Sequence, residues 1–119
     1  MVYCIWEDFM TRSMYAKYKK ERENKEILES EIGFAIYFFE NDYVYIEDIF
    51  VEKEYRKGKE ASRLADEIAK IAKQKGINKM LGSVRPSSKG STSSLKVLLG
   101  YGFKLASSHE DAIYFIKDI

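Results

Sequence analysis

The sequence has almost none of the residue types from which disulfides and metal centres are built. Its 119 residues include one cysteine, Cys4, and one histidine, His109. An internal disulfide is therefore excluded, and we expect a protein of a reducing compartment, the cytoplasm. A transition-metal site needs a cluster of His and Cys ligands, so we predict no metal. His109 lies in a polar, turn-like stretch, which favours a solvated loop residue over a catalytic base.

Long apolar runs and an excess of one charge are missing as well. No stretch approaches the roughly 20 apolar residues that span a membrane, so we expect no membrane association. The first residues lack the basic segment, apolar segment and cleavage site of a secretory signal. Lysine and arginine together number 20 against 19 acidic residues, for a net charge of +1. Because nucleic acid phosphates require a clear basic excess, we expect no nucleic acid partner.

The composition that remains is that of an ordinary globular protein. Hydrophobic residues make up 45% of the chain and charged residues 33%. A chain of this length typically forms a single compact unit that buries roughly two thirds of its unfolded surface. We therefore expect residues 1–119 to form one domain.

Residues 46–76 carry the clearest pattern in the chain, a strand, a loop and a helix in succession. Residues 46–51 are rich in β-branched and aromatic side chains, which indicates a buried strand. Residues 52–59 are polar and basic around Gly58, which indicates a tight loop. Gly76 lies where a helix would end. Between loop and glycine, apolar residues recur at helical spacing: Ala61, Leu64, Ala65, Ile68 and Ala72.

The start of this predicted helix is a potential binding site for an anion. The first turn of a helix has free N–H groups and the positive end of the helix dipole. Arg56, Lys57 and Lys59 add positive charge next to it. The same arrangement also occurs as a purely structural unit with solvated lysines, and the pattern alone leaves both interpretations open.

The N-terminal residues are predicted to add a strand and a helix. Residues 2–6 are a candidate first strand, and Asp8 is placed to cap a helix over residues 8–23. Four apolar residues at helical spacing predict that this helix packs on the sheet: Phe9, Met10, Met14 and Tyr18.

The middle of the chain is predicted to form a hairpin and a parallel strand. Residues 26–30 fit either a short strand or a loop. Residues 32–39 and 43–52 flank a polar turn and should form an antiparallel hairpin. Residues 79–85 follow the long helix and should pair in parallel with 43–52, as in a βαβ unit.

The C-terminal third is predicted to contain a helix and a second hairpin. Pro86 ends the preceding strand because proline cannot donate to the ladder. Residues 87–94 should be flexible, with hydroxyls that cap a helix over residues 92–99. Gly100 is expected to end that helix. The last predicted elements form a hairpin: residues 103–107 and 112–116.

The order of these residues resembles the central motif of the GNAT superfamily of N-acetyltransferases. That motif has an acidic residue and an apolar run on a strand, then a Tyr-Arg pair, then a loop R/Q-x-x-G-x-G/A that opens a helix. The corresponding pieces are IEDIFV (46–51), Tyr55-Arg56 and the loop Arg56–Ala61. The predicted hairpin is most similar to that of diamine and related small-amine acetyltransferases. The family's central loop glycine falls on Lys59, with Gly58 one position earlier.

The resemblance implies an α/β (α+β) fold, with a mixed, mostly antiparallel sheet flanked by helices. It implies acetyl-CoA as co-substrate, with the pantetheine arm along the backbone of Ile49, Phe50 and Val51. Helices would wall the acceptor site, where Trp6, Phe9 or Met14 would contact the acceptor. The phosphates would lie on the loop and the start of the helix: Arg56, Lys57, Gly58, Lys59, Glu60, Ala61 and Ser62.

The resemblance also implies candidate catalytic residues. Glu47 and Asp48 take the general-base positions, and strand alternation predicts that they point to opposite faces, with Glu47 favoured. The usual general-acid tyrosine falls on Leu98 and the usual asparagine on Ser91. The candidate proton donor is therefore Tyr101, three residues on, or water.

The function implied is acetyl transfer from acetyl-CoA to a primary amine, by direct attack in a ternary complex. The acceptor would be a small-molecule amine or a protein lysine, and a homodimer is left open. The alternative is a catalytically degenerate GNAT-like domain that binds a ligand or a protein partner.

Overall fold

The computed structural model of the chain describes residues 13–119. These residues form one sheet of six strands and three helices. The strands are β1 (Glu26–Glu29), β2 (Gly33–Phe39), β3 (Val44–Val51), β4 (Lys79–Val84), β5 (Lys104–His109) and β6 (Ala112–Asp118). The helices are α1 (Met14–Glu23), α2 (Glu60–Gln74) and α3 (Ser91–Tyr101), and a short 3-10 turn spans Lys53–Tyr55.

The strands lie in the order β1-β2-β3-β4-β6-β5. Every neighbouring pair is antiparallel except β3 and β4, which are parallel and joined through α2. The predicted hairpin β2–β3, the parallel strand β4 and the hairpin β5–β6 are confirmed. The segment left open at residues 26–30 forms β1. The predicted fold class, a mixed and mostly antiparallel sheet flanked by helices, is confirmed.

Helix α2 packs on the sheet and supplies much of the core. Its end matches the prediction, because Gly76 is left-handed (φ +80) and the Ile77 amide donates to the Ala72 carbonyl over 2.9 Å. Truncating a fully buried leucine such as Leu64 typically costs about 2–5 kcal/mol, so this helix is firmly held. The buried residues of its apolar face are Leu64, Ala65, Ile68 and Ala72.

Helix α1 differs from its prediction in extent and in packing. It begins at Met14, because Ser13 is extended and its hydroxyl accepts a hydrogen bond from the Ala16 amide over 3.0 Å. A single helix over residues 8–23 is therefore wrong. Met14 and Tyr18 are exposed, so the predicted packing of these two residues on the sheet is also wrong. Other parts of that prediction lie outside the described residues: the strand 2–6, Trp6, Asp8, Phe9 and Met10.

Helix α3 has different caps from those predicted. Its N-cap is Gly90, left-handed at φ +81 and without a side-chain cap bond, so the predicted hydroxyl cap is wrong. The helix continues through Gly100 and ends before Gly102, which is left-handed at φ +106. Gly102 ends the helix because the next residue, Phe103, is buried in the core and its amide donates to the Leu98 carbonyl over 3.0 Å.

Two predicted absences concern membranes and metals. Within residues 13–119, no helix is long and apolar enough to span a membrane. The same part of the chain has no group of three or more His, Cys, Asp or Glu side chains that could hold a metal ion. The His109 side chain is 81% exposed at the end of β5, as a solvated residue should be.

Candidate active site

The parallel strands β3 and β4 part soon after they begin to pair. Their register runs from Val44 opposite Met80 to Ile46 opposite Gly82 and goes no further. Strand β4 stays paired with β6 to its end, and β3 stays paired with β2. The stretch 47–51 of β3 therefore has no strand on its β4 side among the described residues. Such an edge presents unpaired backbone donors and acceptors to an extended ligand. The predicted pantetheine contacts Ile49, Phe50 and Val51 lie on it.

A β-bulge lies where the strands part. Asp48 is opposite Ile36 and Ile46 is opposite Tyr37, so Glu47 is an extra residue in β3. A bulge interrupts the alternation of side chains between the two faces of a strand. Glu47 and Asp48 are consequently both exposed, and the prediction that they divide between a groove and the opposite layer is wrong. The inward positions before and after the bulge are Val44, Ile46, Ile49 and Val51.

A cleft of about 540 Å³ lies at the start of α2, and we call it the α2 cleft. The N-cap, Lys59, makes no side-chain cap bond, and the first intrahelical bond runs from the Arg63 amide to the Lys59 carbonyl over 2.9 Å. The amides of the first helical residues thus have no acceptor within the helix. Residues that line the cleft include Gly58, Lys59, Glu60, Ser62, Arg63 and Asp66.

The predicted basic residues of the loop lie at different places. Arg56 donates from Nε to the Val51 carbonyl over 2.9 Å, and its guanidinium carbon is 5.4 Å from the centre of the Phe50 ring. It therefore joins the loop to the open edge of β3. The Gly58 amide closes a turn on the Tyr55 carbonyl over 3.2 Å. Lys57 is exposed.

An ion pair between Glu60 and Arg63 lies inside the α2 cleft. Arg63 donates from Nε and Nη2 to the two carboxylate oxygens of Glu60, over 2.8 and 2.9 Å. Hydrogen bonds from Arg63 and then from the Ser30 hydroxyl lower the pKa of Glu60 to about 2. Arg63 was not among the site residues that the sequence predicted. The spacing of three between an acidic and a basic residue in the first turn was the available signal.

The candidate proton donor Tyr101 is linked to the α2 cleft by a hydrogen bond to Asp66. Its hydroxyl donates to Oδ1 of Asp66, a residue that lines the cleft, over 2.5 Å. Burial, and then the Asp66 carboxylate, raise the pKa of Tyr101 well above its usual value. Leu98 lies at the parting of the strands, since a Cβ added to Gly82 would be 3.3 Å from Leu98 Cδ2. The α3 side chain that contacts Gly82 is therefore apolar and has no acidic proton to donate.

A second pocket, of about 590 Å³, is lined by residues of both parting strands, and we call it the Glu47 pocket. Glu47 and Tyr45 belong to β3, and Ser83 to β4. The Tyr45 hydroxyl and Ser83 Oγ are hydrogen-bonded over 2.5 Å, which bridges the two strands. Asp48 does not line this pocket. Its other walls include Phe38, Glu40, Tyr43, Arg85 and Tyr114.

Lys25 completes the Glu47 pocket, and the sequence did not indicate it. The Lys25 ammonium donates a hydrogen bond to Glu47 Oε1 and lies 3.2 Å from Glu23 Oε1. The hydrogen bond that Lys25 donates to Glu47 contributes most to raising the pKa of Lys25, although partial burial opposes it. A carboxylate in this pocket thus holds a primary ammonium group.

Comparisons with known proteins agree with this geometry. The model of the GNAT acetyltransferase family matches residues 5–101. No curated protein matches the chain significantly. Among solved structures, PaiA N-acetyltransferase from Thermoplasma acidophilum, in complex with coenzyme A, is similar with a TM-score of 0.72 and 19% identity, over 89% of this chain and 69% of that one.

Two further solved structures share the fold. A GNAT family acetyltransferase from Elizabethkingia anophelis, with acetyl-CoA bound, has a TM-score of 0.66 and 16% identity, over 90% of this chain and 84% of that one. A protein from Bacillus anthracis, in complex with acetyl coenzyme A, has a TM-score of 0.70 and 24% identity, over 87% and 68% of the two chains. Because the family model spans residues 5–101 of 119, this chain belongs to the GNAT family of acetyltransferases.

Proposed function

We propose that this protein transfers the acetyl group of acetyl-CoA to a primary amine by direct attack in a ternary complex. The observation that carries the proposal is the open edge of β3 between the α2 cleft and the Glu47 pocket. An extended arm along residues 49–51 would run between a site for anions and a site for an ammonium group. Structural relatives that were crystallised with coenzyme A or acetyl-CoA support the choice of co-substrate.

The residues of the α2 cleft fit a diphosphate. The amides of Glu60, Ala61 and Ser62 are uncapped, and an uncapped helix start favours anions. Lys57 and Lys59 would add positive charge from the loop. Gly58 would allow the tight turn of that loop. Arg56, held on the Val51 carbonyl, would border the arm. We add Arg63 to the predicted set, because its guanidinium lies in the cleft and forms two-pronged contacts with oxyanions.

Glu47 is the residue that we propose as general base. A primary ammonium has a pKa near ~10 and must lose a proton before its nitrogen can attack. Glu47 lies in the pocket at the parting of the strands and already accepts a hydrogen bond from an ammonium group. Asp48 lies outside the pocket, so we assign it only a contribution to the local negative charge.

The departing thiolate needs less help from the protein than the acceptor amine does. Acetyl-CoA supplies the thioester, whose thiol has a pKa near ~8.5, so its thiolate is a fair leaving group. Tyr101 holds its proton tightly on Asp66, which makes it a poor donor. We propose that the hydrogen bond between Tyr101 and Asp66 holds α3 on α2. Solvent would protonate the thiolate.

The acceptor that suits the Glu47 pocket is a cation. Glu47 already holds the Lys25 ammonium, Glu40 adds a second carboxylate, and the rings of Phe38, Tyr45 and Tyr114 line the same pocket. The chemistry is that of a small amine or a lysine side chain. Arg85, on the same wall, would repel an acceptor with a second positive charge near it.

The proposal is tested first by calorimetry with acetyl-CoA and then by thiol release with a library of primary amines. We expect saturable binding of acetyl-CoA and amine-dependent release of the thiol. Absence of binding would overturn the proposal.

The second candidate is a catalytically degenerate GNAT-like domain that binds a ligand or a protein. Specific observations favour it. Lys59 replaces the loop glycine, Glu60 brings a carboxylate into the anion site, and Leu98 cannot act as a proton donor. Binding of acetyl-CoA without thiol release for any amine would favour this candidate over the first.

A further inference from the structure

Lys25 is fixed between the end of α1 and the start of β1. Asn24 ends α1 in the left-handed region (φ +55), and the Lys25 amide then bonds back to the Lys19 carbonyl over 3.3 Å. Strand β1 starts at the following residue, Glu26. The backbone of Lys25 is thus held by a helix end on one side and by the sheet on the other.

The side chain of Lys25 is directed into the Glu47 pocket. Its ammonium contacts Glu47, and Lys25 lines the same pocket as Ser83 of β4. The side chain is 23% exposed, against 15% for Lys19, which pairs within its own helix, and 47% and 48% for Lys20 and Lys79. A primary amine of this chain therefore already occupies the place where an acceptor amine would meet its base.

We propose that Lys25 is itself an acceptor, so that the protein acetylates its own Lys25 with Glu47 as the base. This inference rests on the proposed function, because it requires acetyl-CoA along the open edge of β3. It adds a site of covalent modification and a chemical class of acceptor, a lysine side chain presented between two carboxylates.

The transfer is balanced without any further reactant. The Lys25 ammonium gives one proton to Glu47, and the nitrogen lone pair attacks the carbonyl carbon of the thioester. The new C–N bond forms as the C–S bond breaks, and the sulfur leaves with the bonding pair. The nitrogen loses its second proton to solvent as the amide forms, and the thiolate takes up a proton from solvent. The raised pKa of Lys25 makes a base necessary, since the free amine is scarce at neutral pH.

Acetylation would also change the pocket. An acetyl-lysine has no positive charge, so its ion pairs with Glu47 and Glu23 would be lost. Glu47 would then be released for an external ammonium group. Self-acetylation would act as a single priming step that opens the acceptor site.

The test is the time course of acetylation of the full chain by acetyl-CoA, followed site by site by mass spectrometry of peptides. Two other lysines serve as internal references: Lys20, paired with Glu26 over 3.3 Å, and Lys79, paired with Asp118 over 2.9 Å. Both are more exposed than Lys25, so uncatalysed acetylation would favour them. We expect Lys25 to be acetylated first, at a rate that does not depend on protein concentration.

Matched variants separate base catalysis from position. Glu47→Gln should slow acetylation of Lys25 by about 100-fold, as loss of a general base does. Glu21→Gln alters an exposed carboxylate of α1 that does not line the Glu47 pocket, and it should leave the rate close to that of the unaltered chain. Lys25→Arg should abolish the modified peptide.

Two results would overturn the inference: Lys25 acetylated no faster than Lys20 and Lys79, or equally fast in Glu47→Gln. Calorimetry on the same preparations separates this failure from that of the proposed function. Binding of acetyl-CoA and turnover of an external amine, without modified Lys25, would remove the inference alone. Absence of binding would remove both.

Discussion

Replacing Glu60 by glutamine should tighten the binding of acetyl-CoA. The Glu60 carboxylate lies in the α2 cleft at the first residue of the helix, where a diphosphate would be held, and it occupies the Arg63 guanidinium through both oxygens. Two like charges about 4 Å apart repel by about 1 kcal/mol in water-like surroundings. Removing that repulsion corresponds to a roughly fivefold lower Kd. Glutamine keeps the size of the side chain, and Arg63 becomes available to the phosphates.

The measurement is calorimetry of the variant with acetyl-CoA and with pantetheine, which has no phosphate. The gain should be confined to acetyl-CoA. Glu21→Gln is the matched control, because Glu21 is exposed on α1 and does not line the cleft. Arg63→Gln should have the opposite effect and raise the Kd.

The pH dependence of this prediction follows from the lowered pKa of Glu60, about 2 against an ordinary value of 4.5. A carboxylate whose pKa is lowered by folding stabilises the fold at pH values above its pKa in the unfolded chain. That contribution is lost as the pH falls toward 2. Glu60 is therefore ionised across the neutral range, and the gain in affinity should be the same throughout it. An unchanged Kd for acetyl-CoA, or an equal gain for pantetheine, would refute the assignment of the cleft to phosphates.

Three more changes test other parts of the site. Glu47→Gln should lower amine turnover by about 100-fold while leaving the Kd of acetyl-CoA nearly unchanged, and unaltered turnover in the thiol-release assay would remove Glu47 as base. Leu98→Tyr places a phenol at the parting of β3 and β4 and should raise turnover, whereas an unchanged rate would mean that protonation of the thiolate is not limiting. Gly33→Ala should lower the free energy of unfolding by roughly 1–3 kcal/mol, because the new Cβ would lie 2.3 Å from the Phe50 carbonyl oxygen. A denaturant midpoint equal to that of the unaltered chain would contradict the β2–β3 register.

The elements with strong local signals were predictable from the sequence. Helix α2 repeats its apolar residues at helical spacing, and Gly76 marks its end. The C-terminal end of α3 was not predictable, because Gly100 and Gly102 lie only two positions apart. Gly100 is accommodated within the helix, and Gly102 ends it since Phe103 must reach the core. That choice depends on packing between distant parts of the chain.

The candidate site was predictable in its location but not in its contacts. The strand and the helix start that form it followed from the order of residues 46–61, whereas the parting of β3 from β4 did not. The faces of Glu47 and Asp48 did not, because a bulge depends on the register with β2. The partners of the charged groups were also invisible, since Lys25 and Glu47 are 22 positions apart and Tyr101 and Asp66 are 35.

Both candidate binding sites contain an ion pair within the chain. In the α2 cleft, the Arg63 guanidinium is held by Glu60, and in the Glu47 pocket, the Lys25 ammonium is held by the carboxylate. A charged ligand would therefore exchange one ionic contact for another rather than add a new one. Ion pairs at a solvated surface contribute little to stability, so the exchange costs little for a ligand of the right charge. A neutral ligand that separates either pair gains no ionic contact in return. The same pairs that weaken binding therefore favour a phosphate in one site and an ammonium group in the other.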